Sequence, residues 1–249
     1  ILDYQLAVTS YTAKNEEVVT DIFGRINSSG KQLSYQERRQ AGSLDDFSNI
    51  VRDISSEIRG DASGDVVILK DMPLISIDSK VEKLGYGLTA DDIFWCKHGI
   101  ITKPDLRDSE DEEMIADIVA SIIFGEPFPS SRDTFDEIYN SNEELHKKAI
   151  LELNKYGKER LAHEIKVTFS VLEDVLDKTG VVLRKIVNPG SKNPIKASFY
   201  SIFMAFHQLV VKEEKSPDDF DKLIKGITGL QEQLIRSAHF TTKDDREKN

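Results

Sequence analysis

Ser141-SNEELHKKAILELNKYGKERLAHEIKVTFSVLEDVLDKTG-Gly180 decides the fold class. Leu145, Ala149 and Leu153 recur at one helical face, Gly157 interrupts, and Leu161, Ile165, Phe169, Leu172 and Leu176 resume the same spacing. Apolar side chains at intervals of three and four cover one stripe of a helix, so the stretch reads as two helices joined at the glycine. Ser141 followed by Glu144 is expected to form a capping box at the start of the first.

Outward from this pair the pattern repeats. Ile115, Ile118, Val119, Ile122 and Ile123 make one face, Phe135, Ile138 and Tyr139 another, and Phe47, Ile50, Val51, Ile54 and Ile58 a third that ends at Gly60. Ser34 and Glu37 form a further capping box. Ile93 to His98 reads as a short helix after an N-cap at Thr89, with Gly99 as its stop. Asn188-Pro189-Gly190 and Asn193-Pro194 frame a loop. Beyond it Phe199, Ile202, Phe203, Phe206, Leu209 and Val210 form an apolar stripe that closes either the chain's own core or a seam with a second copy. Ser216-Pro217 starts a last helix carrying Phe220, Leu223, Ile224, Ile227 and Leu230.

Towards the beginning the period changes. Leu2, Tyr4, Leu6 and Val8 alternate with polar residues as in a strand. Asn15 opens a helix over Val18, Val19, Ile22, Phe23 and Ile26, and Val66–Leu69 and Leu74–Ile77 are two further candidate strands. The expected fold is therefore mainly α, with a small α+β part in residues 1–60 followed by an all-helical region in residues 61–249. A start at Ile within a strand-like pattern suggests a piece of a longer protein.

Composition limits the function classes. The 249 residues carry a formal charge of -11, so contact with nucleic acid requires a local basic patch. One such stretch, Lys178 to Lys212, contains no Asp or Glu. Arg184, Lys185, Lys192 and Lys196 are its candidate contacts to a DNA backbone. The phenylalanines beside them are spaced as core residues and not as base-stacking ones. The single cysteine, Cys96, excludes an intrachain disulfide, suits a reducing cytoplasm and reads as a buried thiol. No apolar run reaches the length needed to span a bilayer. The five histidines lack metal-ligand spacing. The acidic run Asp108 to Glu113 reads as the solvated start of a helix, where carboxylates meet the positive end of the dipole.

One segment bears on chemistry: Asp21-DIFGRINSSGKQLSYQERRQAG-Gly42. Arg25, Asn27 and Lys31 gather a guanidinium, an amide and an ammonium about Gly30, just before a helix start at Ser34, a grouping able to hold a polyphosphate. Glu37 offers a carboxylate for a magnesium ion, although the capping box already accounts for it. Arg38 and Arg39 are expected on different sides of the helix, one towards phosphate and one in solvent. In its Phe23, Arg25, Ile26, Asn27, Gly30, Leu33, Ser34, Glu37 and Arg38 the segment resembles the GmrSD-type restriction endonuclease N-terminal domain family, which is ParB/sulfiredoxin-like. The resemblance covers about the first 45 residues. It implies a prokaryotic DNA-defence protein whose nucleotide site, here Arg25, Asn27, Lys31, Glu37 and Arg38, binds a nucleoside triphosphate with Mg2+. DNA and the missing N-terminal part of the domain would be its partners. The family's Asp-Gly-Gln-Gln-Arg motif and its histidine-rich nuclease domain do not occur in the sequence. The alternatives are a non-catalytic helical protein-interaction module and a ParB-like nucleotide-binding DNA switch.

Overall fold

The computed structural model describes residues 33–60 and 90–239. Numbered within these, the helices are α1 (Tyr35–Gly42), α2 (Asp46–Arg59), α3 (Phe94–Lys97), α4 (Lys103–Arg107), α5 (Glu110–Phe124) and α6 (Arg132–Tyr139). They continue with α7 (Glu144–Tyr156), α8 (Lys158–Thr179), α9 (Leu183–Val187), α10 (Lys196–His207), a π-turn (Gln208–Lys212), α11 (Phe220–Ile227) and α12 (Leu230–His239).

The centre of the packing is α5. Its Ile115, Ala116, Ile118, Val119 and Ala120 are fully buried, and Ile122 and Ile123 nearly so. A helix apolar on every side must be surrounded. Helices α1, α2, α4, α7 and α10 pack around it. The 22 residues of α8, about 33 Å long at 1.5 Å per residue, lie against α2, α7, α10 and α11. Where α3, α8 and α10 meet, Phe94, Trp95, Phe169, Phe199 and Phe203 form an aromatic cluster with ring centroids 4.8–6.0 Å apart. Each large apolar side chain so buried contributes roughly 1.5–3 kcal/mol. The apolar stripe of α10 thus closes the chain's own core, with Phe199 and Phe203 fully buried.

Helix boundaries follow local chemistry. The Ser34–Glu37 capping box forms as expected. Asp45 caps α2 by accepting from the amides of Phe47 and Ser48, and Gly60 ends it at φ 75°. The box expected at Ser141 does not form. The amide of Asn142 instead donates to the Asn140 side chain at 3.1 Å, and α7 begins at Glu144 without a side-chain cap. The last amphipathic stretch starts at Phe220, where Asp219 accepts from the Lys222 amide, and not at Pro217.

Two expectations are corrected. The first is the α+β part: among the described residues every regular element is helical and no strand occurs. The candidate strands Leu2–Thr9, Val66–Leu69 and Leu74–Ile77, the helix after Asn15 and the cap at Thr89 lie outside the described residues. The second is the resemblance to the GmrSD-type, ParB/sulfiredoxin-like domain. A mainly helical body, with no strand among the described residues, is inconsistent with that α+β fold. Tyr35–Gly42 form α1, which packs on α5 and α6, and α2 enters the same helical core. Of the matched positions, the described ones, Leu33, Ser34, Glu37 and Arg38, report a cap and a short helix. Those are local signals, compatible with many tertiary settings.

Candidate interaction surface

The outer side of α1 is where the described structure leaves charge unused. This short helix, YQERRQAG, is too polar to be held by apolar burial and is clamped by hydrogen bonds on its inner side. Arg39 there is almost wholly buried. Its Nε donates to Asp136 and its Nη1 to Glu113, both at 2.7 Å, and its Nη2 to the Arg132 carbonyl at 3.2 Å. Its guanidinium also lies over the Phe135 ring. Gln36 and Gln40 donate to the Tyr139 hydroxyl at 2.9 and 3.3 Å, and Ser43 to the Tyr139 carbonyl. Arg39 is therefore neither a phosphate ligand nor solvated, contrary to the sequence expectation.

With Arg39 facing in, Tyr35 and Arg38, three residues apart, share the outer side. Tyr35 is 46% exposed and two guanidiniums lie over its ring, Arg132 at 3.6 Å and Arg38 at 4.6 Å from the centroid. The stack forms a ridge between two shallow pockets. One, of about 380 Å³, is bordered by Ser43, Arg132, Asp136 and Asn140. The other, of about 410 Å³, is bordered by Leu33, Asp108, Glu110 and Glu113. At the turn after α1, Leu44 is 86% exposed. A planar guanidinium stacked on an aromatic face keeps its N–H edge free for a carboxylate.

Of the sequence-proposed nucleotide residues, Arg25, Asn27 and Lys31 lie outside the described residues. Glu37 accepts the Ser34 amide at 2.7 Å and so closes its own helix start, and Arg38 lies on Tyr35. Among the described residues no group of three or more His, Cys, Asp or Glu side chains is arranged to hold a metal ion. In the basic stretch, Arg184 donates to the Ser191 carbonyl and packs over Gly99, where an added Cβ would come within 2.5 Å of the arginine Nε. Gly99 also sits at φ 68°, so this close approach needs glycine on both counts. Lys196 pairs with Glu110, while Lys185 and Lys192 are exposed.

The acidic run is not the solvated helix start expected of it. Asp111 is fully buried and takes two bonds from Arg59, 2.5 Å at Nε and 2.6 Å at Nη2, while Glu112 lies 3.2 Å from the same guanidinium. Burial raises the Glu112 carboxyl above its ordinary range against the pull of Arg59. The spacing carried a sign of this, because Asp111 precedes Ile115, Ile118 and Ile122 on one helix face.

A second buried carboxylate, Glu164, ties α7, α8 and the π-turn together. It accepts from Tyr156, from Arg160 Nε at 2.7 Å and from Lys212 at 3.5 Å, with His207 Nε2 3.3 Å away, and Lys212 also donates to the Tyr156 hydroxyl at 2.6 Å. Burial alone would raise its pKa. The Tyr156 and Arg160 hydrogen bonds and the Lys212 charge outweigh that and hold it at about 2. Burial lowers His207 below its ordinary value, with Lys212 adding to the effect against Glu164. A tyrosine that donates to a carboxylate is kept protonated, so the geometry is that of a lock between helices. Cys96, expected buried, is partly exposed, and burial followed by Asp91 and Asp111 pushes its thiol up to about 11.

Comparison with known proteins finds no matching family model, no matching curated protein and no matching solved structure. No described helix is long and apolar enough to cross a membrane.

Proposed function

We propose that this chain is a non-catalytic helical protein-interaction module, which docks a carboxylate-bearing segment of a partner protein on the outer side of α1. The observation that carries the reading is the Arg132–Tyr35–Arg38 stack. Among the described residues Arg39, Arg59, Arg132 and Arg160 each lie within 4.0 Å of a carboxylate, and Arg52 and Arg184 donate to amide and carbonyl oxygens. Arg38 is exposed and has the Tyr35 ring as its contact. In a chain of charge -11, an arginine left without an acid is a local positive site in a repelling field. Tyrosine and arginine are also the side chains that most often anchor protein interfaces. Asp108, Glu110 and Glu113 border the opposite pocket, so an acidic segment is steered to the Arg132 side.

The test is an array of short glutamate-rich peptides and their glutamine counterparts, titrated against the whole chain by fluorescence anisotropy. At least some glutamate peptides bind, more weakly as salt rises, and the Tyr35→Ala, Arg38→Ala double variant loses about tenfold or more in affinity, some 1.4 kcal/mol. No binding, equal binding of the glutamine peptides, or an unchanged double variant refutes the reading.

A further inference from the structure

Between α5, the 125–131 turn, α6 and α10 lies a pocket of about 410 Å³, within the range of small-molecule sites. Met114, Phe128, Phe135 and Tyr200 supply its apolar walls, and Glu113 and Asp117 its acids. The two acids are one helical turn apart on α5 and do not share the same fate. Glu113 is committed to Arg39 at 2.7 Å. Lys196, the ammonium at the pocket edge, pairs with Glu110.

Asp117 receives hydroxyl groups instead. The Ser121 hydroxyl accepts from Tyr200 at 2.8 Å and from the Phe128 amide at 3.0 Å, which leaves its own proton for Asp117 Oδ1 at 3.5 Å. Ser130 gives a second hydrogen bond. Among the described residues no cation pairs with this carboxylate. A partly desolvated anion among aromatic rings is compensated by an ammonium group, which takes an ion pair on one side and ring faces on the other. A divalent metal needs several oxygen ligands, and one free carboxylate with aromatic walls does not offer them.

We propose that this pocket is a binding site for a small organic cation, an ammonium group on a short hydrocarbon chain. The nitrogen rests on Asp117 and the chain lies between Phe128, Phe135 and Tyr200. Of the charged groups facing the site from α5 and α10, Glu113 and Lys196 already hold other partners, so Asp117 decides affinity.

Amide NMR titration of the whole chain with n-butylammonium, and with n-butanol as its neutral counterpart, tests this. Butylammonium is expected to give saturable shifts confined to α5, the 125–131 turn, α6 and α10, while butanol gives shifts that do not saturate. Asp117→Asn, confirmed as folded by its own spectrum, loses about tenfold or more in affinity for butylammonium. The site is refuted if butylammonium does not saturate, if butanol binds as well, or if Asp117→Asn binds like the parent chain.

Discussion

Asp117 shows how a single side chain is set against the fold that holds it. Burial raises its carboxyl from 3.8 to about 6, with Glu113 adding to the effect and hydrogen bonds from Ser130 and Ser121 opposing it. The folded state therefore binds a proton more readily than the unfolded chain between those values. Its stability gains as pH falls from about 6 towards 3.8, and the ionised form is a liability at pH 7. Replacing Asp117 with Asn is expected to stabilise the ligand-free protein at pH 7 by about 1–2 kcal/mol, partial exposure being allowed for. The variant should also lose the gain between pH 6 and 4, as urea denaturation at several pH values will show. Single residues were the least legible scale. That Arg39 and not Arg38 turns inward depends on Glu113, Asp136 and Phe135, which arrive from more than 70 positions away. Nothing next to Arg39 in the sequence announces them. Glu164 was more readable, because it lies between Leu161 and Ile165 on the buried stripe, where an acid needs donors.

At the scale of elements, the join of α2 to α5 rests on an ion pair inside an otherwise apolar contact. Arg59 closes α2 and grips Asp111 in the first turn of α5. Removing one partner of a buried pair leaves the other charge without compensation, a loss of roughly 3–5 kcal/mol. Arg59→Met, which keeps much of the side-chain volume, is expected to destabilise by that order in urea, whereas Lys215, whose pair with Glu213 is on the surface, should shift it little when replaced by Met. Helices themselves were legible, since α2, α5, α7 and α8 follow the apolar spacing closely, and their ends coincide with Gly60, Gly125, Gly157 and Gly180. Strand readings fared differently. Alternation over a few residues is a weak signal, and three such readings fall outside the described residues, while the described ones pack as helices alone.

For the whole molecule, one core joins α2 to α10, so damage at its aromatic centre should be felt throughout. Phe199 is fully buried against Phe94, Trp95, Phe169 and Phe203. Phe199→Ala is expected to cost about 3–5 kcal/mol and to lower the urea midpoints of near- and far-ultraviolet dichroism together. Separate transitions would show that the helices do not stand or fall as one unit. The aromatic centre was half legible: the spacing of Phe199 and Phe203 places both on one face, whereas the partners awaiting them on α3 and α8 were visible only in three dimensions.

The π-turn after α10 has a consequence for everything that follows it. Its Glu213 amide reaches back five residues to Gln208, one more than an α-helix uses. The extra residue swings Leu209 out to 43% exposure, although the spacing of Phe199 and Phe206 would have kept it inside. It also brings Lys212 round to Tyr156. The turn works like a gear advanced by one tooth: excising a single residue there would re-mesh the spiral, draw Leu209 inward and unhook the lysine, with the remaining chain setting off on a new bearing.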